Sequence, residues 1–263
     1  MKNTAPDQWS DLRPRVISAV VMVTVGAVDV WLGGWPLLIS IAVLIGVMIW
    51  ELALLSEPDA PNRAIVMGIA AAILLFFDEG WPVWTGWLLI PILPLLFLAT
   101  KHRERRAILA LAALAIMVAG KGLFEMRAQD GIAAIMWLIG VVVVSDISGY
   151  FIGRTLGGPK FWPSISPKKT WSGTLAGWIG AAIVGAIFAA LGHGNLLLIL
   201  LSPLIAFAGQ MGDIGESWLK RRAGVKDSSH LIPGHGGFLD RFDALIGATV
   251  AVVLLDLILP FWV

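Results

Sequence analysis

Long apolar stretches, separated by short polar or glycine-containing segments, make up most of this chain. A helix that crosses a bilayer needs about 20 apolar residues, because each residue advances about 1.5 Å along the helix axis. Nine stretches approach this length, and the third and fifth are the shortest. The pattern therefore predicts nine transmembrane helices, near residues 16–34, 36–55, 64–77, 82–99, 107–120, 132–152, 172–191, 196–215 and 244–262.

The composition also indicates a membrane protein. Of the 263 residues, 58% are hydrophobic and only 14% are charged, whereas about a quarter of the residues are charged in a soluble domain. We predict an all-α fold, a polytopic transmembrane helical bundle of about nine spans with a cytoplasmic N-terminus. We divide it into N-terminal transmembrane helices, 1–131, and a C-terminal transmembrane catalytic region, 132–263, which carries the longest polar connections.

The positions of Lys and Arg provide an independent test of this topology. If the N-terminus is cytoplasmic, all but two of the 19 Lys and Arg residues fall on the inner side, and the exceptions are Lys121 and Arg127. This bias follows the positive-inside rule. The formal net charge of +1 gives no strong basic field for nucleic acid. The absence of cysteine excludes disulfides, zinc thiolates and a cysteine nucleophile.

Two polar connections, 153–171 and 216–243, fall on the cytoplasmic side of the predicted membrane. The segment 211–222, which leads into the second connection, has a helical pattern of polar residues. Four polar side chains recur there at positions i, i+3, i+4 and i+7, so that they share one helix face. They are Asp213, Glu216, Ser217 and Lys220.

A glycine-rich turn follows this helix. Residues 233–237 read Pro-Gly-His-Gly-Gly, which opposes regular structure and predicts a tight loop. Backbone N–H groups of such loops approach phosphates closely. Phosphoryl or nucleotidyl transfer requires positioning and neutralisation of phosphate charge, which carboxylate-bound Mg²⁺ and Lys or Arg side chains provide. Acids, bases and a glycine turn in one segment therefore predict phosphate or nucleotide chemistry at the cytoplasmic face. Neither a Ser/His/Asp hydrolase order nor a Walker A loop is present.

The spacing of these residues resembles the signature of the phosphatidate cytidylyltransferase family, the CDP-diglyceride synthases. The resemblance lies in the string Ser217-x-Leu219-Lys220-Arg221-x4-Lys226-Asp227-x5-Pro233-x-His235-Gly236-Gly237-x2-Asp240-Arg241-x-Asp243. The other cytoplasmic motif of that family resembles Asp146-x3-Tyr150-Phe151-x-Gly153-Arg154 followed by Ser166-Pro167-Lys168-Lys169-Thr170-Trp171-x-Gly173. Ser172 stands where the family usually has Glu, so no catalytic acid is assigned there.

This resemblance implies a reaction. The phosphate of phosphatidic acid attacks the α-phosphorus of CTP, pyrophosphate leaves, and CDP-diacylglycerol is formed. It also implies a Mg²⁺-dependent site. Whether a monovalent cation such as K⁺ binds at the same site is left open by the sequence. We therefore expect CTP, phosphatidic acid and membrane lipids as partners, and no nucleic acid. We expect the chain to lie in the inner (cytoplasmic) membrane of a bacterium, with the active site facing the cytoplasm.

The resemblance further implies roles for individual residues. The expected metal ligands are Asp213 and Asp240, with Asp227 and Asp243 as second choices. The expected catalytic residues, which handle the metal, the phosphates and the leaving group, are Asp213, Lys226, Asp227, His235, Asp240 and Arg241. The expected substrate-binding residues are Ser217, Lys220, Arg221, Lys168, Lys169, Thr170, Asp146, Gly236 and Gly237.

Plainer structural roles compete with some of these assignments. Asp146 is also compatible with a polar contact between helices, and Arg222 with an anchor to anionic lipid. The glycines Gly173, Gly177 and Gly180 share one helix face. Such spacing is typical of close packing between helices. A contact between subunits of an oligomer is an alternative role for this face.

Other functions fit the sequence less well. A CDP-alcohol phosphatidyltransferase begins its motif with Asp-Gly-x2-Ala-Arg, whereas Asp130-Gly131 is followed here by Ile-Ala-Ala-Ile. A transporter keeps its polar groups near mid-membrane, whereas here they gather at one face. A membrane scaffold with a basic lipid-binding loop does not need paired acids and a glycine turn. Another membrane lipid nucleotidyl- or phosphatidyltransferase remains the alternative.

Overall fold

The computed structural model describes residues 12–77, 87–99, 105–259 and 262. Within these residues the fold consists of helices and one short hairpin. The helices are α1 (Leu12–Leu32), α2 (Gly34–Ser56), α3 (Pro61–Phe77), α4 (Ile92–Phe97), α5 (Arg106–Gln129), α6 (Gly131–Leu156), α7 (Trp171–Ala190), α8 (Leu197–Arg222) and α9 (Leu239–Asp256). The strands β1 (Lys160–Trp162) and β2 (Ser166–Thr170) pair in antiparallel fashion between α6 and α7.

The prediction of an all-α, polytopic membrane bundle is confirmed. Six helices are long and apolar enough to cross a membrane: α1 from Pro14 onward, α2, α5, α6, α7 and α8. The segment Trp87–Phe97 and α3 are shorter apolar helices. The count of nine spans stays a prediction, and part of the predicted span 82–99 lies outside the described residues.

The fifth helix is longer than the apolar pattern predicts. The apolar run ends before Lys121, but α5 continues to Gln129. The ammonium of Lys121 lies 2.9 Å from the carboxylate of Glu125, one turn further along, and 5.4 Å from the centre of the Trp87 ring. Pairing offsets the desolvation of a side chain that is only 6% exposed. A charged residue can therefore lie within α5 in the interior of the bundle.

Two hydrophobic cores stabilise the bundle, and α9 contributes to both. The first core is formed mainly by α2, α3, α4 and α5, and it includes Leu239 and Ile246 of α9. The second is formed mainly by α6, α7 and α8, and it includes Ala248 and Val252 of α9. The N-terminal half of α9 thus lies against the first group of helices, next to the signature segment.

Glycines allow α6 and α7 to approach until their backbones touch. A Cβ atom added to Gly173 would lie 3.2 Å from the Cα of Gly153 and would overlap the carbonyl oxygen of Gly149. A Cβ on Gly177 would lie 2.7 Å from the Ser145 hydroxyl, and one on Gly180 would meet the same helix. The predicted packing role of this glycine face is confirmed, and its partner is α6 of the same chain.

A second close approach joins α8 to α9. A Cβ atom on Gly212 would lie 3.2 Å from the Cα of Gly247 and would overlap the carbonyl oxygen of Asp243. Gly209 has a similar position, 3.1 Å from the carbonyl oxygen of Ala244. This contact holds the acidic first turns of α9 against the polar end of α8.

The α8–α9 contact predicts a large difference between two glycines of one helix. Gly212→Ala should destabilise the protein by about 1–3 kcal/mol, because the new methyl group meets backbone that cannot move aside. Gly215→Ala is the matched control, since a Cβ there has nothing within 4 Å, and helix propensity favours alanine. Thermal unfolding in detergent measures both variants. Equal melting temperatures would contradict the close approach.

Candidate active site

A cavity of about 680 Å³ opens between the C-terminal half of α6, the hairpin, the start of α7 and the middle of α8. The wall therefore contains the first predicted motif and two residues of α8, Gln210 and Asp213, that precede the second motif. The charged residues in its wall are Asp146, Arg154, Lys160, Lys168, Lys169 and Asp213. Both signs of charge line the cavity, as binding of a polyphosphate with a cation requires.

One face of α6 forms part of the cavity wall. Asp146 lies three and four residues before Gly149 and Tyr150, and Gly153 lies three and four residues after Tyr150 and Gly149, so that the four residues share this face. The two glycines let the start of α7 approach this face, since a Cβ atom on either would meet Gly173 or Thr170. At the rim, the Arg154 guanidinium donates to the Tyr150 hydroxyl at 2.7 Å.

The hairpin delivers its lysines to the cavity and then begins α7. Thr170 ends β2 in an extended conformation, and its hydroxyl accepts the N–H of Gly173 at 3.2 Å. This is a side-chain N-cap, a role for which threonine is well suited. Ser172, in the position of the family's usual Glu, donates to the carbonyl of Gly157 at 2.5 Å. It therefore ties α7 to the end of α6.

The cavity contains a lysine–aspartate pair. The ammonium of Lys169 lies 2.5 Å from a carboxylate oxygen of Asp213, and the two side chains are 26% and 35% exposed. The Ser217 hydroxyl lies 3.4 Å from the other oxygen of Asp213. Asp146 interacts electrostatically with both members of the pair. Asp243 of α9 also lies within electrostatic reach of Asp213.

A second ion-pair group lies further along α8. The ammonium of Lys220 lies 2.6 Å from Glu216 on its own helix and 2.5 Å from Asp240 on α9. The Asp240 carboxylate also accepts the Gly237 N–H at 2.7 Å, the Ser228 N–H at 2.9 Å and the Ser228 hydroxyl at 2.9 Å. Its side chain is only 3% exposed. Asp240 thus anchors the loop that precedes α9.

The electrostatics of Asp240 agree with this anchoring role. Asp240 precedes the apolar part of α9. Burial alone would raise the pKa of its carboxyl group. Hydrogen bonds from its side-chain neighbours and from the backbone of Gly237 and Ser228 outweigh the burial and lower the pKa to about 2. The group is therefore a carboxylate at neutral pH.

The predicted tight loop at 233–237 is confirmed. Gly234 and Gly236 have φ values of 74° and 84°, a region that favours glycine. Ile232 and Gly236 form an isolated bridge across the turn. His235 in this turn lies against α1, where its Nδ1 is 2.7 Å from the Ser18 hydroxyl, and its carbonyl accepts the Nε–H of Arg241 at 2.9 Å.

The structure brings some of the predicted site residues together and keeps others apart. Those in the wall of the cavity are Asp146, Lys168, Lys169, Thr170 and Asp213. Those on the last turns of α8, on the loop or on the start of α9, outside that wall, are Ser217, Lys220, Arg221, Lys226, Asp227, His235, Gly236, Gly237, Asp240, Arg241 and Asp243.

The two carboxylates expected first as metal ligands have different partners. Asp213 pairs with Lys169, and Asp240 pairs with Lys220, which lies seven residues, or about 10 Å of helix, beyond Asp213. Among the described residues, no three His, Asp or Glu side chains are arranged to hold a metal ion together. Mg²⁺ commonly uses one or two carboxylates and completes its shell with substrate phosphates and water. Asp213, with Asp243 or Asp146 nearby, fits that donor set.

Three further polar residues near the site were not assigned from the sequence. Gln210 and Ser145 line the floor of the cavity, and Gln210 is one helical turn before Asp213, a spacing that could have revealed it. Glu51 of α2 is completely buried and contacts the loop before α9. An acidic residue within an apolar span is itself a signal of function.

Sequence comparisons agree with the site. The sequence profile of the "Cytidylyltransferase family" matches residues 13–258. A phosphatidate cytidylyltransferase from Brucella abortus is 35% identical over 254 residues, which are 93% of this chain and 93% of that protein. Proteins of the same name from Helicobacter pylori and Bacillus subtilis are 41% and 39% identical over 142 and 143 residues. These two alignments cover 53% and 52% of this chain, and 53% of each relative.

The matched range covers nearly every described helix and includes both motif segments, of which the first lines the cavity. The chain therefore belongs to the cytidylyltransferase family.

Proposed function

We propose that this protein is a phosphatidate cytidylyltransferase, which transfers the cytidylyl group of CTP to phosphatidic acid and releases pyrophosphate. The observation that carries the proposal is the Lys169–Asp213 pair inside a cavity that the first family motif lines together with α8. The full-length relative from Brucella abortus carries this name. The six long apolar helices suit a lipid substrate whose acyl chains stay in the bilayer.

The cavity is a suitable site for CTP. Its volume lies in the range of about 300–1,000 Å³ that is usual for small-molecule sites. Lys168, Lys169, Arg154 and Lys160 supply cationic groups for the phosphates. The start of α7 adds the positive end of a helix dipole beside them.

The metal requirement is part of the proposal. Asp213 would hold Mg²⁺ with the help of Asp243 or Asp146, and the ion would neutralise phosphate charge and polarise the α-phosphorus. Lys169 then exchanges its partner, from the Asp213 carboxylate to a phosphate oxygen, so that neither charge is left unpaired. A monovalent cation such as K⁺ would add positive charge to the same acidic group.

The orientation in the membrane is proposed from charge. Nearly all Lys and Arg residues fall on one side of the predicted topology, and cationic loops stay in the cytoplasm. We place the chain in the inner membrane of a bacterium with the cavity facing the cytoplasm. CTP enters from that side, and phosphatidic acid enters laterally from the inner leaflet.

The purified protein should form CDP-diacylglycerol and release pyrophosphate when it is given phosphatidic acid, CTP and Mg²⁺. EDTA should abolish turnover, because the phosphate charge is no longer neutralised, and added Mg²⁺ should restore it. Radiolabelled CTP and extraction of the lipid product measure the reaction. Formation of CDP-lipid at an unchanged rate in EDTA would contradict the metal assignment.

Asp213 and Asp240 should respond differently to the same substitution. Asp213→Asn should lower kcat by at least about 100-fold with little change in melting temperature, since its carboxylate is part of the transfer site. Asp240→Asn should lower both activity and melting temperature, because four donors converge on that buried carboxylate. Asp59→Asn, in an exposed turn, is the control for both. Full activity of Asp213→Asn would exclude its proposed role.

Lys169→Gln should raise the KM for CTP by about tenfold or more, because it removes a charge-assisted contact with phosphate. Arg63→Gln is the control, since it removes a charge that pairs with Glu57 away from the cavity. Initial rates over a range of CTP concentrations separate KM from kcat. An unchanged KM for Lys169→Gln would place the phosphates elsewhere.

A further inference from the structure

Glu51 lies in α2, in the N-terminal half of the chain, but its hydrogen bonds go to the loop before α9. Its side chain accepts the Ser229 hydroxyl at 2.5 Å, the Phe238 N–H at 3.0 Å and the Leu239 N–H at 2.7 Å. The residue is 0% exposed. Residues 223–238 are called the α8–α9 connection below.

These contacts explain how a carboxylate can be buried there. A buried acid without partners is strongly destabilising. Here three donors compensate, and the positive end of the α9 dipole adds to them. Phe238, at the N-cap position of α9, makes no side-chain cap hydrogen bond. Glu51 therefore caps α9 from another helix.

Two carboxylates hold the α8–α9 connection from opposite sides. Asp240 accepts hydrogen bonds from Ser228 and Gly237. Glu51 accepts hydrogen bonds from Ser229 and Phe238, the next residue in each case. A Cβ atom on Gly237 would overlap both the Ser228 hydroxyl and the Glu51 carboxylate. Residues 228–229 and 237–238 of the connection are thus fixed against each other, with the turn that holds His235 between them.

We propose that Glu51 is a positioning residue for cytidylyl transfer. It fixes the α8–α9 connection, and with it Asp227, His235 and Arg241, relative to the nucleotide cavity. Glu51 does not belong to the wall of that cavity, so it acts through the connection and not on CTP itself. The inference rests on the proposed function and assigns a role in it to the N-terminal helices.

The variant Glu51→Gln keeps the size of the side chain but directs an NH₂ group towards backbone donors. It should lower kcat by at least about tenfold, since small misplacements of catalytic groups have effects of this size. The KM for CTP should change less than about twofold, because α6, the hairpin, α7 and α8 build the cavity without Glu51. Glu51→Asp keeps the charge and should recover part of the kcat.

Two other variants make the test specific. Glu57→Gln, at the C-terminal end of the same helix, removes an acid that pairs with Arg63 and should leave kcat unchanged. Ser229→Ala removes one of the three donors to Glu51 and is milder. It should lower kcat by a few fold even if Glu51→Gln does not fold.

Hydrogen exchange and kinetics together decide the inference. In Glu51→Gln and Ser229→Ala, amides of the α8–α9 connection should exchange faster while those of the hairpin 160–170 keep their protection. An unchanged kcat despite faster exchange, or equal loss of protection in the hairpin, would overturn the positioning role. If the wild-type protein makes no CDP-lipid, the proposed function fails, and the exchange data still decide whether Glu51 anchors the connection.

Discussion

A charged side chain inside an apolar helical bundle must have a partner, and this constraint shapes the protein. An unpaired buried charge is far more destabilising than any single apolar contact is stabilising. Lys220, whose side chain is 11% exposed, therefore lies between Glu216 and Asp240. The more exposed Lys169 pairs with Asp213. Most of these pairs collect where α8 meets its neighbours. The proposed chemistry uses that same collection of charges.

Pairing at this density requires helices that approach more closely than side chains usually permit. Gly212 and Gly247 bring α8 and α9 into backbone contact, and Gly149 and Gly173 do so for α6 and α7. The first contact places the acids of α9 beside α8. The second places the motif residues of α6 beside the hairpin and the start of α7, where they line one cavity. Packing and charge pairing thus depend on each other.

Much of this arrangement can be predicted from local sequence. Apolar run lengths identify the helices, and the helical period puts Asp213 and Lys220 on one face of α8. The tight turn at 233–237 follows from the local backbone preferences of glycine. These predictions succeed because each depends only on residues that are near one another in the chain.

The remaining features depend on how distant helices align, which no local pattern specifies. The sequence favours Asp213 and Asp240 as metal ligands, but the alignment of α9 with α8 pairs Asp240 with Lys220. It places the backbone of Asp243 against Gly212, the residue before Asp213. Likewise, the sequence cannot reveal that Glu51 reaches the loop before α9. The apolar pattern also ends α5 too early, because it cannot anticipate that Lys121 pairs with Glu125.

The account rests on CTP binding in the cavity between α6, the hairpin, α7 and α8. The chain has no cysteine, so a single Pro167→Cys substitution in the cavity wall can be labelled with a polar thiol reagent. CTP should slow this labelling in a concentration-dependent manner. It should not slow labelling of Ser164→Cys, which lies in the hairpin turn outside that wall. Equal labelling rates at Pro167→Cys with and without saturating CTP, in a protein that still makes CDP-lipid, would contradict the account.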